Sequence, residues 1–145
     1  MQEINNLECL RSWFRECPLL QREKRFRADF IAENPVEYSI MQTPSTIEYV
    51  ENVLGEMIPR DIQRLNYTFM CRDVYGSDVP QNLENAKLYQ DIVLWIQEQT
   101  AERNFPKIAE GEVVSILPTL TPFFSDINPT SAIYQIQLQL VYKRH

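Results

Sequence analysis

The stretch IYQIQLQLVYKRH, Ile133 to His145, alternates with a period of two. Tyr134, Ile136, Leu138, Leu140 and Tyr142 fall on one side of an extended chain, and Gln135, Gln137 and Gln139 on the other, because successive side chains of a strand point to opposite faces. A one-residue slip would turn the whole apolar set to water, so the register of this strand is strongly fixed. The apolar side predicts a sheet whose one face is covered. The glutamine side suits plain solvent, where glutamine usually sits, or a polar contact with a second copy, since amides hydrogen-bond without carrying charge.

Upstream, EGEVVSILPT from Glu110 reads as another strand. Between the two lies PTLTPFFSDINPTS, with Pro118, Pro122 and Pro129, the apolar Leu120, Phe123, Phe124 and Ile127, and a single charge. That composition predicts an ordered or partner-facing loop rather than a flexible linker. Before it the period changes. Asp78 is placed to cap a helix, with Gln81 three residues on and Pro80 tolerated in the first turn, where its missing N–H would be unpaired anyway. Leu88, Tyr89, Ile92, Val93, Trp95 and Ile96 then form one broad apolar stripe, predicting a helix that covers the sheet and stops before Pro106.

Within STIEYVENVLGEMIPRDIQRLNYTFMCRDVYG, Leu65, Tyr67, Phe69 and Cys71 share one face, while Arg64, Asn66, Thr68 and Arg72 share the other, and Gly55 and Pro59 mark a turn between two strands. RFRADFIAE, around Phe26 to Ile31, and VEYSIMQ from Val36 read as two further strands joined tightly at ENP, hence a hairpin. Ile4, Leu7, Leu10, Phe14 and Cys17 recur at steps of three and four, predicting an amphipathic helix of about four turns that Pro18 ends. The whole reads as one α+β domain over residues 1–145, with two helices on one face of a mostly antiparallel sheet and the order α-β-β-β-β-α-β-β.

Composition narrows the chemistry. A chain of 145 residues has the usual length of one domain, and its three glycines leave little for a phosphate-cradling loop. Twenty acidic against fourteen basic residues give a net charge of -6, which opposes non-specific binding to nucleic acid. The basic run RSWFRECPLLQREKRFR, with Trp13 and Phe14 interleaved, therefore reads as the solvated side of the first helix and its connection. The first twenty residues hold no uninterrupted apolar core, so neither a secretory signal nor a membrane anchor is expected. Cys9, Cys17 and Cys71 read as reduced packing cysteines, and none has metal-ligand spacing. The one histidine is His145, and Glu110 and Glu112 have no setting that would separate their acidities. No catalytic, cofactor-binding or metal residue is assigned.

The succession LRSWFRECPLL, VEYSI, DVYGSDVPQNLENAKLYQDIVLWIQEQ, EGEVVSILPT and IYQIQLQLVYK resembles the tail terminator (tail-completion or minor tail) proteins of tailed phages found as prophages in Gram-positive gut bacteria. The resemblance covers most of the chain from Leu10, with Val74 to Glu98 and the terminal strand its distinctive parts. It implies a virion structural protein, assembled in the host cytoplasm, that forms a homo-oligomeric ring, usually a hexamer. Such a ring ends growth of the major tail tube protein and joins the tail to neck and connector proteins, without specific nucleic-acid binding or a membrane. It carries no catalytic motif. Candidate interface residues come from this sequence itself: Met57 and Ile58 beside the Gly55 turn, Phe123 and Phe124 in the proline-rich loop, and Gln135, Gln137 and Gln139. Three other readings stand beside it: a head-to-tail connector, a small acetyltransferase-like enzyme, and a module that captures a peptide at its sheet edge.

Overall fold

The computed structural model describes residues 6–20, 24–28, 37–74, 79–125 and 131–145. Two helices and eight strands follow in the order α1 (Asn6–Phe14), β1 (Phe26–Ala28), β2 (Glu37–Thr43), β3 (Tyr49–Glu51), β4 (Met57–Pro59), β5 (Ile62–Val74), α2 (Val79–Glu102), β6 (Gly111–Pro118), β7 (Phe123–Ser125) and β8 (Ser131–Arg144). The expected α+β class and its helix, strands, helix, strands order both hold. The main sheet runs β1-β2-β5-β8-β6, and β7 pairs with β8 beside β6. Every pairing in it is antiparallel except β1 with β2.

The long terminal strand is central. Ile62 to Val74 of β5 run antiparallel against Lys143 to Ser131 of β8, with Tyr67 opposite Leu138 and Phe69 opposite Ile136. Tyr134, Ile136, Leu138, Leu140 and Tyr142 are all buried, as the alternation demands, and they share the core with Tyr67, Phe69 and Cys71 of β5. The helices supply the covering layer: α1 lies on β1 and β2, and α2 on β6 and β8. From α2 come Tyr89, Ile92, Trp95 and Ile96, and from α1 come Leu10, Trp13 and Phe14. Trp13 belongs to the core rather than to the solvated side, because the buried arc of this short helix is wider than the step of three and four alone indicates. Its ring centroid lies 4.8 Å from that of Trp95. Its Nε1 donates to the Asn104 carbonyl at 2.8 Å, so the indole loses no hydrogen bond on burial.

β1 and β2 do not form the expected hairpin. They run parallel, with Phe26 beside Tyr38. A hairpin turning at Asn34 would set Phe26 opposite Gln42, which is exposed. Parallel pairing instead brings Phe26 into an aromatic cluster, with centroids 6.2 Å from Phe14, 6.0 Å from Tyr38 and 5.8 Å from Phe69. Tertiary burial thus overrides the local turn signal. Ile4, Asp78 and the ENP connection lie outside the described residues.

α2 ends before Pro106 acts on it. Arg103 takes a left-handed conformation (φ 59°). The Asn104 N–H then reaches back to Gln99 O at 2.9 Å and the Arg103 N–H to Thr100 O at 3.2 Å, which satisfies the last carbonyls of the helix.

Candidate assembly surfaces

β3 and β4 belong to a separate two-stranded sheet, an arm inserted between β2 and β5. Its turn is closely specified. The Asn52 N–H donates to Glu56 O at 2.9 Å and the Gly55 N–H to Asn52 O at 3.0 Å, while Asn52 Oδ1 accepts from the backbone N–H of Leu54 and of Glu56. Gly55 sits at φ 80°, the left-handed position that closes such a loop and that glycine occupies without a Cβ clash. Gly55 therefore marks the turn as expected, whereas Pro59 lies in β4 opposite Tyr49.

The root of the arm is clamped by a buried side chain. Gln63 Nε2 donates to Glu48 O at 2.7 Å and to Arg60 O at 2.9 Å, and Gln63 Oε1 accepts from the Glu48 N–H at 3.0 Å. Arg64 adds an ion pair to Glu48 at 2.7 Å, and Ser45 Oγ accepts from the Asn66 N–H. The arm is thus held at a set direction from the sheet, and its large apolar side chains stay exposed. Val50 and Ile58 project from one face of the ribbon, Tyr49 and Met57 from the other, and all four are exposed. At the tip Val53 is fully exposed (102%) and Leu54 nearly so (78%). An isolated two-stranded ribbon is at best marginally stable in water, and apolar groups gathered on both of its faces make the arm a candidate contact surface.

The first part of the proline-rich loop includes the strand β7. β7 extends the β8 ladder, pairing Phe123 with Gln135 and Phe124 with Tyr134. Phe123 is half-buried, and Phe124 is exposed, with its ring centroid 5.8 Å from that of Tyr134. Thr121, Pro122, Phe124 and Tyr134 line a cavity of about 430 Å³ against Tyr89 and Gln90 of α2. Ile127 and Pro129 fall outside the described residues.

Gln135, Gln137 and Gln139 lie on the sheet face away from the helices and are half-buried. Two of them spend their amides inside the sheet: Gln135 Nε2 donates to Ser125 Oγ at 2.6 Å and Gln139 Nε2 to Asn66 Oδ1 at 3.3 Å. The structure thus separates the sequence candidates into three places: Met57 and Ile58 on the arm, Phe123 and Phe124 at the β7 edge, and the glutamines on the open sheet face.

The buried Cys71 thiol and the Tyr67 and Tyr89 phenols are held neutral. Burial raises the Cys71 thiol and the Tyr89 hydroxyl above their ordinary ranges, and Tyr89 donates to Asp73 Oδ2 at 3.2 Å. Burial likewise raises Tyr67, whose hydroxyl has no hydrogen-bond partner among the described residues. All three cysteines are free thiols. Among the described residues no group of three or more His, Cys, Asp or Glu side chains converges as a metal site would require, and no helix is long and apolar enough to cross a membrane. Glu110 and Glu112 are both exposed, as is His145. No protein-family model matches the chain, and no curated protein matches it either.

The sequence reading named Met57 and Ile58 but passed over Val53, Leu54, Tyr49, Val50 and the Gln63 clamp. A signal was available for the tip: Val53 and Leu54 are adjacent aliphatics in a turn, where Gly, Pro, Asn, Asp and Ser dominate. Gln63 carried none, since a strand glutamine reads alike whether it is exposed or clamped.

Proposed function

We propose that this protein is a ring-forming assembly protein of the phage tail terminator kind. It ends polymerisation of the tail tube and joins the tail to the neck. The observation that carries this reading is the arm of β3 and β4, rigid at its root and turn yet apolar on both faces and at its tip. A subunit that projects such an arm from one end of its sheet has a means of gripping a neighbour in head-to-tail fashion, and repeated head-to-tail contacts close into a ring when the rotation allows it. Met57 and Ile58 are then contact residues. Phe124 and the glutamine face are left for the tube and the neck, which a terminator must tell apart by shape and polar pairing.

Electron microscopy of the purified chain mixed with tail-tube subunits tests the reading. Tubes of limited length, each capped by a ring at one end, are expected. Tubes that grow to the same length with and without the chain, and with no ring at their ends, would overturn it.

A further inference from the structure

The geometry points to a specific seat for the arm tip: a cavity between α1, β1 and β2 of a second copy of the same chain. This deepens the ring reading and rests on it.

The cavity measures about 300 Å³, and Leu20, Phe26 and Tyr38 supply its apolar lining, with Arg15, Glu16 and Lys24 around it. That volume is at the lower end for ligand pockets and matches one or two aliphatic side chains better than a cofactor. Val53 and Leu54 are aliphatic, adjacent and the most exposed large apolar groups of the arm.

Charge matches as well. Glu51, at the end of β3, and Glu56, just before β4, flank the tip, and neither has an ion-pair partner among the described residues. Arg15 and Lys24, beside the cavity, have no ion-pair partner among the described residues either, and among the described lining residues they outnumber the one acid, Glu16. Seating the tip buries two aliphatic side chains and brings two carboxylates to a basic rim, a complementarity that fixes register and partner choice.

The arm's own cavity is at the wrong end. Tyr38 lies near the start of β2, whereas the arm leaves the sheet beyond Thr43, five residues or about 17 Å along the strand. Knob and hole therefore lie at opposite ends of one subunit, the arrangement that propagates head to tail.

Two charge-reversed variants test this by sedimentation over a concentration series. One carries Glu51→Lys with Glu56→Lys, and the other Arg15→Glu with Lys24→Glu. All four sites are exposed or half-buried, and unchanged melting checks that each variant folds. Each variant alone should need about tenfold or more higher concentration to assemble than the native chain. An equimolar mixture of the two should recover assembly, because each arm then meets a rim of opposite sign. The chain carrying all four changes should also assemble alone. Native-like assembly by either variant alone, or no recovery in the mixture, would overturn the seat while leaving the ring reading intact. A native chain that stays monomeric even with tube subunits would overturn both.

Discussion

The terminal strand β8 and the arm of β3 and β4 are written in the same code and meet opposite fates. In β8 the alternate positions Tyr134, Ile136, Leu138, Leu140 and Tyr142 are apolar and all five are buried. In the arm, Tyr49, Val50, Met57 and Ile58 are just as apolar and all are exposed. The difference lies in the second layer. β8 runs between β5 and β6 with helices packed above, whereas β3 and β4 pair with each other alone. Alternation specifies which side chains seek cover, and the rest of the fold decides whether the chain itself provides it.

The sharpest way to test that contrast is to remove one large side chain from each region. Phe69 is fully buried at the hub of the aromatic cluster, stacked on Phe14 at 4.9 Å and near Tyr38 at 6.0 Å. Phe69→Ala should cost about 3–5 kcal/mol in a denaturant titration, through lost transfer energy and the cavity left behind. Leu54→Ala at the arm tip should stay within about 0.5 kcal/mol in the same experiment on the monomer. Equal losses would mean that the arm packs on its own chain.

How much of this was legible depended on whether local pattern and tertiary packing agreed. For β8, β5 and α2 they agree. Tyr67, Phe69 and Cys71 are buried where a period of two puts them, and Tyr89, Ile92 and Ile96 where a period near four puts them. They disagree at β1, whose direction and register against β2 follow the cluster around Phe26 rather than the ENP turn signal. The turn at Gly55 was readable because a left-handed residue there calls for glycine. That its two strands leave the main sheet was not, since a strand's pairing partner is a long-range property. Of the candidate contacts, Met57 and Ile58 were named for apolarity near a turn, while Glu51 and Glu56 gain meaning only in the proposed seat, against Arg15 and Lys24 of a second copy.

A smaller effect should follow from loosening the arm without touching its surface. Gln63→Leu removes the partners of the Glu48 N–H and the Arg60 carbonyl at a buried root, where an unsatisfied polar group costs about 1–3 kcal/mol. Amide exchange should quicken over residues 48–60 while protection along β8 stays as before. Exchange that quickened equally in both regions would make the clamp part of the main core instead of a hinge on the arm.

The smallest effect is expected on the glutamine face. Changing Gln135, Gln137 and Gln139 together to Glu sets three carboxylates about 7 Å apart along one side of β8, within the roughly 10 Å screening length at 0.1 M salt. A carboxylate at position 135 can still accept from the Ser125 hydroxyl, which is free to rotate. One at position 139 cannot replace the bond donated to Asn66 Oδ1, because the Asn66 amide already donates to the Pro44 carbonyl at 3.1 Å. The local penalty is therefore one half-buried hydrogen bond, about 1 kcal/mol, together with repulsion of a few tenths per pair that high salt removes. The apolar side of the strand is untouched, so melting should fall slightly at low salt and recover when salt is added. If the arm carries the contacts between subunits, the variant should sediment as the native chain does at either ionic strength. A loss of assembly at low salt with the fold intact would transfer the subunit contact from the arm to the glutamine face and make the uncovered arm a feature of tube or neck recognition.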